Sequence, residues 1–104
     1  MNNEQLWTEL AILKTVHALC EKGSRRITFG QIYMHLLRLR SSVPPITRCV
    51  ETVDELVREG LLVSERILDQ DPDFPYTQHI ISGLTEIGLA SLAGSEEDGM
   101  TRYG

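Results

Sequence analysis

The sequence predicts a mainly α domain carrying one small antiparallel β-hairpin, and three observations predict it. Three segments ahead of residue 60 place apolar residues at helical spacing, each ended by a breaker. At Gly60 the apolar period changes from near 3.6 to 2. A turn rich in aspartate and proline then separates two strand-like runs. The 104 residues suit one domain, and an apolar fraction of 41% is enough for one packed core. No window approaches the roughly 18 consecutive apolar residues that a membrane-spanning helix needs. Met1-Asn2-Asn3-Glu4 lacks a basic leader, and Cys20 and Cys49 form neither a disulfide framework nor a metal spacing. The expectation is a cytoplasmic domain with no membrane partner, spanning residues 1–93, followed by a flexible acidic tail over 94–104.

The first helix is predicted from Asn3 to Lys22. Leu6, Leu10, Leu13, His17 and Cys20 form its apolar stripe, flanked by Trp7, Ile12, Val16 and Leu19, and Gly23-Ser24 stops it. So wide a stripe suggests a seam with a second copy of the chain. Thr28 reads as the N-cap of a second helix, Phe29 to about Arg40, with Ile32, Leu36 and Leu39 inward and Phe29, Tyr33 and Leu37 beside them. Ser41 to Pro45 cannot continue that helix, because proline lacks an amide donor and expels its predecessor from the α region. A third helix runs from Pro45 or Ile46 to Glu59 and buries Ile46, Val50, Val53, Leu56 and Val57, with Gly60 at its left-handed end.

Leu61 to Leu68 reads as a strand, residues 69–75 as a turn, and Tyr76 to Ser82 as the returning strand. Leu84 to Leu92 forms a short helix, capped by Thr85 and ending before Gly94.

Charge is distributed unevenly along the chain. Residues 1–22 carry a net −1, residues 23–66 a net +2, and residues 67–104 a net −6. From Gly23 to Val50 there are five arginines and no acid. A polyanion responds to that local field and not to the overall charge of −5.

Helix, helix, tight break, helix, glycine, hairpin and helix resemble the plan of a winged helix-turn-helix domain. The stretch Val53-Asp54-Glu55-Leu56-Val57-Arg58-Glu59-Gly60-Leu61-Leu62 is similar to the end of a recognition helix leading into a wing. Tyr76 to Ile81 and then Leu84-Thr85-Glu86-Ile87-Gly88-Leu89-Ala90-Ser91-Leu92 resemble the segment that closes the wing in MarR-like and PadR-like regulators. The resemblance spans roughly residues 6–93. It implies a transcriptional regulator, a homodimer through residues 3–22, that binds double-stranded DNA with its third helix in the major groove.

Carried over by position, the groove-facing candidates are Thr47, Arg48, Glu51, Thr52 and Glu55. Arg25, Arg26, Thr28, Gln31, Arg38 and Arg40 are the phosphate candidates, with Arg66 at the wing. Glu51 and Glu55 stand where the resembling families place basic or amide residues, and Asp69, Asp71 and Asp73 make the wing tip acidic. These carboxylates favour the alternative, a protein–protein module presenting its acidic wing and third helix to another protein.

His17 and Cys20 sit three apart on one helix, as a base and nucleophile might, but no orienting acid or oxyanion turn accompanies them and core packing is the expectation. His35 and His79 have no metal-spaced neighbours and read as surface or boundary residues. Trp7 reads as a dimer contact, Tyr33 as core, and Phe74 as a turn aromatic. With no P-loop, HExxH, CxxC or GxGxxG pattern, neither an enzyme nor a cofactor nor a metal is expected.

Overall fold

The computed structural model describes residues 3–69, 71–73 and 76–103, with side chains through 94. The elements in chain order are α1 (Asn3–Glu21), α2 (Phe29–Leu39), α3 (Ile46–Arg58), β1 (Leu62–Ile67), β2 (His79–Leu84) and α4 (Glu86–Tyr103). Gln70, Phe74 and Pro75 of the predicted turn lie outside the described residues. Among those described, no helix is long and apolar enough to cross a membrane.

Two glycines end helices as the sequence predicts, and by the same geometry. After α1, Gly23 takes φ +99°; its amide donates to the Cys20 carbonyl, and the Ser24 amide donates to Leu19. After α3, Gly60 takes φ +81°, with its amide on Val57 and the Leu61 amide on Leu56. Both are Schellman ends, which satisfy the last carbonyls and need a left-handed residue that costs glycine little.

α1 packs against α2, α3, α4 and β2, and its buried face differs from the predicted stripe. Thr8, Ala11, Ile12, Leu13, Thr15 and Val16 are buried; Leu6 is 49% exposed, and Leu10, His17 and Cys20 are half-buried. Threonines share that face with the larger Ile12, Leu13 and Val16. A helical threonine tolerates burial by turning its hydroxyl back on the preceding turn, as Thr8 Oγ1 does to the Glu4 carbonyl at 2.7 Å.

The Thr28 cap of α2 forms as predicted and is reciprocal. The Gln31 amide donates to Thr28 Oγ1 at 3.3 Å, while the Thr28 amide donates to Gln31 Oε1 at 2.9 Å, which completes a capping box. Phe29, Ile32 and Leu36 are buried, and Tyr33 stacks on Phe29 with ring centroids 5.8 Å apart. Leu37 is exposed, and Leu39, in the last turn where the chain leaves extended at Arg40, is 55% exposed. Neither belongs to the core as expected. In α3 the buried set is Cys49, Val50, Thr52, Val53 and Leu56. Ile46, expected inside, is exposed because it opens the first turn beside the Pro44-Pro45 break.

β1 and β2 pair antiparallel, Leu62 with Leu84 and Ile67 with His79, with irregular register on both sides of Ser64. The returning strand lies about two residues later than the sequence predicts. A third strand position, absent from the sequence reading, is the single residue Ile27. It exchanges two 2.8 Å backbone bonds with Ile81, so β2 is flanked on both sides.

α4 begins at the predicted Thr85 cap, whose Oγ1 accepts from the Gly88 amide at 3.0 Å. It does not stop before Gly94: its backbone stays helical to Tyr103. A glycine ends a helix when it turns left-handed, and among the described glycines only Gly23 and Gly60 have positive φ. One buried cluster joins Ile12 and Val16 of α1, Ile27 at the sheet edge, Ile32 and Leu36 of α2, Val50 and Val53 of α3, and Ile81 of β2.

Candidate nucleic-acid interface

The five arginines of the acid-free run do not converge on one surface. Arg25 folds back on the end of α1, its Nη1 donating to the carbonyls of Cys20 and Ser24 at 3.1 Å each. Arg40 reaches the opposite end. Its Nη2 meets Glu4 Oε1 at 3.0 Å, its Nε donates to the Ser42 carbonyl, and its guanidinium lies 3.7 Å above the Trp7 ring. Cys20 and Glu4 are sixteen residues apart on one helix, about 24 Å along its axis. Arg40 and Trp7 thus contact each other within one chain.

Arg26 and Arg66 flank one cavity of about 270 Å³ over Ile80 and Leu68. Gln31, His35 and Arg38 line a second of about 480 Å³ along α2. Thr28 belongs to both, so the two adjoin at that residue. Arg26 is weakly held, with its Nε 3.7 Å from Glu65 Oε1 and its side chain 81% exposed. Among the described residues Arg38 and Arg66 form no ion pair.

The outward face of α3 carries a different charge. Arg48, Glu51, Glu55, Arg58 and Glu59 are exposed and Thr47 half-buried. Arg58 Nη2 closes on Asp54 Oδ2 at 2.9 Å, which leaves Arg48 against three glutamates. Thr52, expected in the groove, is fully buried. Its hydroxyl donates to the Arg48 carbonyl at 2.8 Å and accepts from Gln5 Nε2 of α1 at 3.5 Å. Three positions after Cys49 and four before Leu56, both buried, it falls on the inward face of the helix, so it cannot meet a base. Glu51, Asp54, Glu55 and Tyr76 line a cavity of about 280 Å³, and Asp69, Asp71 and Asp73 are exposed on the hairpin turn.

A polar chain that the sequence reading missed crosses from α3 to the hairpin. His79 Nε2 lies 2.8 Å from Asp54 Oδ1, and its Nδ1 lies 2.7 Å from Ser64 Oγ. His79 is 4% exposed, not the surface or boundary residue expected. With Nε2 protonated the ring donates to Asp54 and accepts from the Ser64 hydroxyl, so both nitrogens are satisfied. The residue types are those of a hydrolytic triad, but the ring is enclosed and acts as a brace between α3 and both strands. The signal was present only as an odd histidine opening a β-run, which does not name its partners.

His17 Nδ1 pairs with Glu21 at 3.1 Å, and Cys20 Sγ donates to the Ser82 carbonyl at 3.5 Å. The two therefore have separate partners and do not act on each other. Burial pushes the Cys49 thiol above its ordinary value. Among the described residues no three His, Cys, Asp or Glu side chains are grouped so as to hold a metal ion. Comparison of the chain with models of known protein families, with curated proteins and with solved structures gives no match.

Proposed function

We propose that this chain is a small winged-helix domain that binds duplex DNA and acts as a transcriptional regulator. The observation that carries the reading is the Ile27–Ile81 bridge. It adds a strand position between α1 and α2, so a three-position sheet packs on α1 and α3, with α2 following directly from its edge and the hairpin beside α3. That is the plan in which a helix pair and a wing address a duplex together. The acid-free run supports it by leaving Arg26, Arg38 and Arg48 exposed on or beside that helix pair.

The reading includes a homodimer through residues 3–22. Leu6 and Leu10 of α1, with Leu56 and Leu61, line a groove of about 470 Å³ beside α4, and sedimentation of the free protein measures the pairing. The direct test is a mobility shift of DNA from upstream of the protein's own coding region at low salt, where phosphate contacts are strongest. A retarded band supports the reading, and no retardation at any concentration overturns it.

A second reading has its own observation. The carboxylates of Glu51, Asp54 and Glu55 around a cavity edged by Tyr76, together with the aspartates of the hairpin turn, suit a basic protein partner. Recovery of one stoichiometric protein with no nucleic acid in the eluate selects that alternative.

A further inference from the structure

We propose that the duplex backbone seats on the saddle where the start of α2 meets the outer face of the sheet, gripped by Arg26, Arg38 and Arg66, and that the outward face of α3 stands off it. This rests on the duplex-binding reading and assigns its surface.

Three observations on separate elements converge there. The cavity over Ile80, bordered by Arg26 and Arg66, and the cavity along α2, bordered by Arg38, adjoin at Thr28. From Thr28 to Arg38 the strip extends about 15 Å along the helix axis, a length over which one strand of a duplex presents about four phosphates. The first turn of α2 holds no acid, so the positive end of its dipole adds to the arginines and is not cancelled.

The charge sign decides between the two faces. On the saddle three arginines face one carboxylate, Glu65, and that one is a loose partner at 3.7 Å. A phosphate with shorter, charge-assisted bonds displaces it readily. On α3 the one uncommitted arginine, Arg48, faces Glu51, Glu55 and Glu59, and Thr52 is sealed inside. A duplex pressed on α3 meets net repulsion and loses one of the five expected groove contacts. Binding through the saddle reads backbone, which makes it tolerant of base sequence.

The test is fluorescence anisotropy of the full chain on a mixed-sequence duplex, titrated between about 50 and 200 mM salt. Each phosphate contact removed flattens that titration by about 3.5-fold. Arg26→Ala, Arg38→Ala and Arg66→Ala are each expected to weaken binding and flatten the salt dependence by that factor. Glu65→Gln is expected to tighten it, and Arg48→Ala to leave it near wild type. Circular dichroism of each variant verifies that it folds. Loss of binding in Arg48→Ala with the three saddle variants unchanged overturns this inference and leaves the duplex-binding reading standing. A wild-type protein that binds no duplex at the lowest salt overturns both.

Discussion

Alanine in place of Gly88 tests the corner where α3, the hairpin and α4 meet. A Cβ there would lie 2.2 Å from the Leu61 carbonyl oxygen, 3.1 Å from its carbon and 3.3 Å from the Leu84 Cβ. The first atom is backbone, so no side-chain rotation relieves the clash, and α4 must retreat by about 1 Å or more to regain ordinary contact. Two bonds hold that corner: the Thr85 amide to the Leu61 carbonyl at 3.0 Å, and the Thr85 hydroxyl to the Gly60 carbonyl. Overpacking costs about 1–3 kcal/mol, and each stretched bond about 0.5–1.5 kcal/mol. Alanine returns about 1 kcal/mol as the better helix former. The net expectation is a loss near 3 kcal/mol, which for a domain of this size lowers Tm by more than about 10 °C.

The assay is urea unfolding followed by far-ultraviolet circular dichroism, with Gly94→Ala as the control. Gly94 lies in the same helix with nothing within 4 Å of an added Cβ, so that variant is expected to gain up to about 1 kcal/mol. A Gly88→Ala protein with the wild-type midpoint and slope would refute the argued contact between α4 and Leu61.

Three further outcomes follow from other parts of the molecule. Thr28→Ala removes the cap of α2 and is expected to cost about 1 kcal/mol in the same assay, with no change in slope; an unchanged midpoint contradicts the capping box. His79→Ala unbraces α3 from the hairpin, and it is expected to cost about 2–4 kcal/mol and to speed amide exchange in β1 and β2. Equal exchange rates in the two proteins would show that the brace is idle. Because burial holds the Cys49 thiol protonated, the folded state keeps that proton after the unfolded chain has lost it. Stability therefore falls as pH rises past about 8.5, and Cys49→Val removes that part of the decline. A thiol reagent is expected to modify Cys20 in the native protein and Cys49 only on unfolding; equal native rates would be inconsistent with this burial.

The elements themselves were readable from local chemistry. Helix stops at Gly23 and Gly60, the caps at Thr28 and Thr85, and the break at Pro44-Pro45 each depend on a few neighbouring residues whose backbone preferences survive in any context. Which side of each helix faces inward was less readable. In α1 the leucine pattern pointed to Leu6 and Leu10, yet Thr8 and Thr15 are buried, and Thr8 tolerates this because its hydroxyl bonds the Glu4 carbonyl one turn back. For the candidate interface, charge sign along the chain was visible and convergence was not. Arg25 and Arg40 belong to one acid-free run but attach to opposite ends of α1.

The amino-acid sequence by itself determined where the three helices ahead of Gly60 begin and end, and that positive charge concentrates before Glu51 and negative charge after Ile67. Only the tertiary structure decided that Ile27 joins the sheet, that His79 bridges Asp54 and Ser64, that Thr52 is sealed inside, and that Arg26, Arg38 and Arg66 border two cavities that adjoin at Thr28. The reason is range. Capping, proline and glycine act over a turn or less, whereas these groupings join residues whose separation along the chain carries no periodic signal.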